Sequence, residues 1–144
     1  MHVSQILSSK GSYVYSIRPD AMVSDVVAEL VTRRIGALVV LDPLGALVGL
    51  VSERDIVRAL HSDPALAGSS VEAIMSRDIV SVGPEADVAD LARLMTKQRS
   101  RHVPVIDECG ELLGLVSVGD VVKVRLDELE SERAALVDYI TQGG

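Results

Sequence analysis

Two seven-residue segments carry the side chains best suited to holding a ligand. They are Gly49-Leu50-Val51-Ser52-Glu53-Arg54-Asp55 and Gly114-Leu115-Val116-Ser117-Val118-Gly119-Asp120. In each, an apolar run ends at a serine and an aspartate follows three residues later. An ionised aspartate only accepts hydrogen bonds, so it suits a vicinal diol, which offers two O–H donors. A helix opening at the serine adds backbone N–H groups and the positive end of the helix dipole, which suit an anion. A ribose carries the diol, and a nucleotide carries both diol and anion. The same residues also have a purely structural use. Ser-x-x-Asp at a strand-to-helix junction is a capping box that satisfies the first amides of the helix. Both readings stand on the sequence alone.

A second constellation, Arg99-Ser100-Arg101-His102-Val103-Pro104-Val105-Ile106, leads cationic groups into an apolar strand. Arginine offers a fork of donors for phosphate, and His102 adds a hydrogen bond or a pH-sensitive charge. The alternative is a solvated helix end with one capping cation. The corresponding stretch upstream is Arg33-Arg34-Ile35-Gly36-Ala37-Leu38-Val39-Val40, where Gly36 and Ala37 replace Arg101 and His102. Arg54 and Arg58 in turn stand where the later stretch has Gly119 and Lys123. Any two sites built from these stretches are therefore unequal.

These motifs come in pairs because a segment of the chain is written twice. Residues 16–60 align without a gap on residues 81–125, and sixteen of the forty-five positions are identical. A repeat of this length means two copies of one folded unit. Two like units can pack about a pseudo-twofold axis, an arrangement that would give two related clefts. Each copy reads strand, helix, strand, turn, strand, helix. In the first, strands are expected at 14–17, 37–41 and 47–51. Ser24 or Asp25 can cap a helix of about ten residues, and a second should run from Ser52 to about Leu60. Asp42-Pro43-Leu44-Gly45 is turn chemistry. In the second copy the strands fall at 79–82, 103–106 and 112–116, the turn at 107–110, and the helices at 88–98 and from Ser117. The division is residues 1–62 for the first repeat, 63–73 for a link, 74–125 for the second repeat and 126–144 for a helical extension. A short helix should hold Ile74 and Met75, and Ile6 and Leu7 look like its counterpart. In the extension, Leu126, Leu129, Arg133, Leu136 and Ile140 form a heptad seam interrupted by Arg133. It either packs on its own module or serves a dimer or another partner.

The totals bound the possibilities. A chain of 144 residues, 48% of them hydrophobic, supports a real core. Aromatic residues make up 2%, with no Phe or Trp, so that core must be aliphatic. The net charge is −7, with no strongly basic stripe, which argues against nucleic-acid binding. Cys109 is the single cysteine, so no internal disulfide forms. His2, His61 and His102 lack metal-ligand spacing, Asp42 and Asp107 are explained by turns, and no catalytic triad, P-loop or Gly-rich dinucleotide motif occurs. No run approaches the ~18 apolar residues of a membrane helix, and the start lacks a signal-peptide pattern. A cytoplasmic protein without enzymatic activity or membrane contact is expected.

The combination of Val82-x-Pro84, Val103-Pro104-Val105-Ile106-Asp107, the Gly110 turn and Gly-Leu-Val-Ser-x-x-Asp resembles a tandem pair of cystathionine-β-synthase-type (CBS) domains, a Bateman module. The resemblance covers nearly all of residues 1–125. It implies an α/β (α+β) fold of two β-α-β-β-α repeats packed through their sheets with pseudo-twofold symmetry, here with an extended C-terminal helix. It also implies a regulatory module that forms a homodimer and signals to an effector protein. Family members commonly bind adenosine compounds (AMP, ADP, ATP, NAD or S-adenosylmethionine) in clefts between repeats. By that resemblance Asp55 and Asp120 take ribose hydroxyls, with Ser52, Ser117 and Arg54 nearby. Arg101 and His102 match positions that often contact phosphate. Backbone at Ala37, Val39, His102 and Pro104 faces the adenine. The rival is a constitutive interaction module whose clefts are vestigial.

Overall fold

The computed structural model describes residues 1–11 and 13–143. They form two compact units, residues 13–80 and residues 1–11 together with 81–143. The units thus do not follow the repeats in simple chain order. The segment before the first repeat belongs with the second repeat, and the segment before the second repeat belongs with the first.

In the 13–80 unit, β1 (Ser16–Ile17), β2 (Ala37–Leu41) and β3 (Leu47–Ser52) form a sheet in the order β1-β2-β3. β1 pairs in parallel with β2, and β2 pairs antiparallel with β3. β2 is fully apolar and buried from Ala37 to Val40, as a strand covered on both faces must be. Between β2 and β3, the Asp42 carboxylate accepts hydrogen bonds from the Leu44 and Ala46 amides at 2.9 Å, and Gly45 takes a φ of 85°. Helices α2 (Val23–Arg33) and α3 (Glu53–Ser62) pack their aliphatic faces on the sheet, where Val26, Leu30 and Ile56 meet Leu38, Val40 and Val51. Two 3₁₀ turns, Pro64–Gly68 and Val71–Ala73, return the chain to the sheet. Ile74 and Met75 follow the second turn rather than lying inside a helix.

The other unit repeats this design. Its α4 (Val88–Gln98), β4 (His102–Ile106) and β5 (Leu112–Ser117) match α2, β2 and β3. Both hairpins carry a bulge at the same place, after Val40 in one and after Val105 in the other. Both need a glycine for close approach. A Cβ on Gly49 would lie 2.5 Å from Met75 Sδ, and one on Gly114 would lie 2.5 Å from Leu7 Cδ2. Leu7 sits on α1 (Val3–Lys10), so α1 fills in this unit the place that residues 74–75 fill in the other.

Two expectations change, and one left open is decided. Residues 79–82 do not form a strand, and only an isolated bridge between Val82 and Val105 remains. The cause is Pro104. In the 13–80 unit the Val39 amide donates to the Tyr15 carbonyl at 3.3 Å. Pro104 occupies the matching position and has no amide hydrogen, so the second link of the ladder cannot form. Next, the cap of α2 lies two or three residues before the expected Ser24 or Asp25. Met22 is its N-cap, and Asp25, at the third helical position, accepts from the Met22 amide at 3.0 Å. Finally, α5 (Val118–Gly143) is one continuous helix whose apolar seam is not covered by its own module. Leu126, Leu129, Leu136 and Ile140 are 53–70% exposed.

Candidate functional site

Each hairpin delivers its second strand directly into a helix, and this junction gathers the residues singled out from the sequence. Ser52 is the N-cap of α3. Its amide donates to Asp55 Oδ2 at 2.9 Å, and its hydroxyl donates to the same oxygen at 3.0 Å. The Asp55 amide returns a bond to Ser52 Oγ at 3.3 Å. At the start of α5, the Ser117 amide donates to Asp120 Oδ2 at 2.8 Å and the Asp120 amide donates to Ser117 Oγ at 3.2 Å. The capping box is therefore formed twice. A further bond ties each helix to the start of the neighbouring strand. The Glu53 amide donates to the Gly36 carbonyl at 3.0 Å, and the Val118 amide donates to the Arg101 carbonyl at 2.8 Å. These contacts leave the amides of Arg54 and Gly119, one residue further on, outside the cap.

The register of the hairpins sets what stands beside each cap. Ala37 is paired with Ser52 and Val39 with Leu50, while His102 is paired with Ser117 and Pro104 with Leu115. So Ala37, Val39, Ser52, Arg54 and Asp55 come together in the 13–80 unit, and Arg101, His102, Pro104, Ser117 and Asp120 in the other. Ala37, Val39 and Pro104 are buried, His102 and the two capping pairs are half-buried, and Arg54 and Arg101 are exposed. Each set is a buried strand end, a half-buried acceptor and an exposed cation. Chemically that is an apolar floor, an acceptor-only carboxylate and a cationic hydrogen-bond donor.

The arginines that close the preceding helices are unusual. Arg34 and Arg99 sit at matching positions and both adopt the left-handed conformation, with φ of 54° and 52°. Glycine is the ordinary residue at such a cap, because a side chain there is strained. Arg99 leads directly into the Ser100-Arg101-His102 turn, where Ser100 Oγ donates to the His102 carbonyl at 3.0 Å.

Two polar groups at the caps were not anticipated, and they differ between the units. Ser76 Oγ donates to Asp55 Oδ1 at 3.0 Å. Lys10 Nζ lies 2.7 Å from Asp120 Oδ2 and also donates to the Leu115 carbonyl at 2.9 Å. Lys10 and Ser76 lie outside the aligned repeat, so no motif marks them. The available signal was the likeness of Ile6-Leu7 to Ile74-Met75, which places Ser76 and Lys10 just beyond equivalent anchors. The Asp120 carboxyl is held below the usual carboxylate range. Burial pushes it up, and the bonds from Lys10 and from the Ser117 amide outweigh that push.

Comparison with known proteins bears on this arrangement. The CBS domain family profile matches residues 3–62 and 71–127. The chain belongs to the CBS-domain family, as a tandem pair followed by a C-terminal helix. It is similar to the mitochondrial CBS domain-containing protein CBSX3 of Arabidopsis thaliana, with 36% identity over 99% of this chain and 72% of that protein. A CBS-domain protein of Agrobacterium tumefaciens has a crystal structure with a TM-score of 0.83 and 36% identity, covering 87% of this chain and 99% of the other. CBSX2, crystallised in complex with AMP, matches with a TM-score of 0.72 and 26% identity over 88% of this chain and 96% of its own. Among the described residues no helix is long and apolar enough to cross a membrane, and no group of three His, Cys, Asp or Glu could hold a metal.

The pH dependence of stability follows from the caps. Asp87, the N-cap of α4, is also held below the usual range, chiefly by the bond it accepts from the Ala89 amide. A carboxyl with a lower pKa folded than unfolded adds stability above its unfolded value, about pH 4, and loses it as the pH falls through its folded value. Urea unfolding between pH 6 and 2 should therefore show stability falling on acidification. The fall should be shallower in Asp120→Asn. An unchanged slope would mean that Asp120 titrates alike in the folded and unfolded chains.

Proposed function

We propose that this chain is a non-catalytic regulatory module that binds an adenosine nucleotide of the AMP, ADP, ATP or NAD class and reports its presence by a change of conformation. The observation that carries the reading is the doubled Ser-x-x-Asp cap. Twice, an acceptor-only carboxylate stands half-buried at a helix start beside a buried strand end. In this reading Asp55 and Asp120 accept the ribose hydroxyls, with Ser52 and Ser117 beside them. Arg101, His102 and Arg54 supply charge and donors to phosphate. The backbone at Ala37, Val39, His102 and Pro104 takes the edge of the adenine. The AMP bound to CBSX2 supports the ligand class. Regulation then requires only that the nucleotide bind one arrangement of the protein better than another, since a ligand shifts an equilibrium by its differential affinity alone.

The homodimer belongs to the same proposal, and the uncovered seam of α5 supports it. Val122, Leu126, Leu129, Leu136 and Ile140 are all exposed on one stripe, with Arg133 completing the heptad. In an antiparallel pairing Arg133 can be set against the acidic residues around it on the other helix, such as Glu130 and Glu132. A parallel copy would stack Arg133 on Arg133. Charge at a seam position commonly decides such pairings. The effector protein would read the surface that nucleotide binding changes.

Calorimetry with AMP, ADP, ATP and NAD tests the ligand. Micromolar or tighter binding is expected, weakened at least tenfold by Asp120→Ala or Asp55→Ala, since a bond to a charged acceptor is worth about 1.5–3 kcal/mol. If none of the four binds, the module is a constitutive interaction platform and the caps are structural only, worth about 0.5–2 kcal/mol each. Sedimentation equilibrium tests the seam. Leu129→Glu with Leu136→Glu should move the protein from dimer toward monomer with its helix content intact. A dimer indifferent to both changes would remove α5 from the interface.

A further inference from the structure

The two caps, so alike in backbone, are held by different groups, and this inference rests on the nucleotide reading above. Asp55 takes a neutral hydroxyl, Ser76 Oγ at 3.0 Å. Asp120 takes a full positive charge, Lys10 Nζ at 2.7 Å. Lys10 is the last residue of α1 and ends on a flexible four-carbon stem, with a second tether at the Leu115 carbonyl, 2.9 Å away. Leu115 is the strand residue paired with Pro104, so the ammonium spans the cap and the strand edge against which an adenosine would lie.

We propose that Lys10 is the residue by which the Asp120 site tells a phosphorylated adenosine compound from an uncharged one. A ribose diol and the Lys10 ammonium compete for the same carboxylate, because Asp120 Oδ2 already accepts from both Lys10 and the Ser117 amide. A diol that takes both carboxylate oxygens meets Lys10 at Oδ2, so a nucleoside bound in this way displaces Lys10 and leaves that charge without its anion. A nucleotide displaces it too, but brings an anion of its own, and the swinging ammonium moves from carboxylate to phosphate. Lys10 thus closes the empty site and is satisfied again only by a ligand that carries negative charge. At Asp55, Ser76 gives its hydroxyl up at little electrostatic cost. The selection there falls to Arg54, which is fixed to the helix start rather than held on the acceptor. The chain therefore owns one site that demands phosphate and one that demands it less. The chemical class taken at Asp120 is an adenosine bearing at least one phosphate.

The test is calorimetric titration of the full-length protein with AMP and with adenosine, in wild type, Lys10→Met and Ser76→Ala. Methionine keeps the length and packing of the stem and removes the charge. In Lys10→Met, adenosine should bind more tightly than to wild type, because its competitor is gone. AMP should lose at least about tenfold relative to adenosine, as expected for loss of a charged hydrogen bond. Ser76→Ala should leave the AMP-to-adenosine ratio of the Asp120 site unchanged. An AMP-to-adenosine ratio unaltered by Lys10→Met, with AMP still bound, would overturn the role of Lys10 and leave the nucleotide reading intact. Binding of neither compound to wild type would overturn both. A lower melting temperature with unaltered affinities would show that Lys10 only anchors α1.

Discussion

The carboxylate at the third position of α3 and of α5 is the constraint on which the rest depends. A helix start leaves amides without partners, and here each start follows directly on a partly buried strand. Asp55 and Asp120 solve this by folding back onto the serine amide, while the carbonyls of Gly36 and Arg101 take the first helical amide. The strand-to-helix junction is thereby pinned to the beginning of the preceding strand. That pinning fixes the register of Ala37 with Ser52 and of His102 with Ser117. A side chain fixed in this way is also pre-organised as an acceptor, so in the proposed function the same atoms serve stability and recognition.

Around that shared device the two units diverge, and the divergence is chemical rather than architectural. The bulges, the glycine turns, the glycines pressed by Met75 and Leu7, and the left-handed arginines all recur in matching places. The polar groups do not. One unit carries Arg54 at the helix and Ser76 on the cap, and the other carries Arg101 and His102 on the strand and Lys10 on the cap. Pro104 shortens the parallel pairing in one unit that Val39 permits in the other. Duplication supplies two scaffolds, and a handful of substitutions makes them unequal.

What could be read from the sequence was whatever is local or repeated. Strand β2 is a continuous apolar run, α4 has its apolar residues at helical spacing, and the Asp-x-x-Gly turns announce themselves. The repeat identified the caps, because a polar pair kept in two copies stands out against aliphatic exchange. What escaped was non-local. Lys10 meets Asp120 across more than a hundred residues of chain, and Ser76 meets Asp55 from beyond the repeat, so neither contact leaves a periodic trace. The missing strand at 79–82 turns on one absent amide hydrogen in a different segment. The seam of α5 was legible as a stripe, but a stripe cannot say whether its own module covers it, and the structure leaves it exposed.

In the proposed function the capping carboxylates are ligand acceptors as well as helix caps. Amide-resolved NMR of the full-length protein during a titration with AMP tests it most directly, because the Ser52, Asp55, Ser117 and Asp120 amides are themselves members of the two caps. Saturable shifts are expected at one or both caps and at the strand ends paired with them, with Ser117 and Asp120 among the largest. Saturable binding whose shifts spare both caps would contradict it and place the nucleotide elsewhere on the protein.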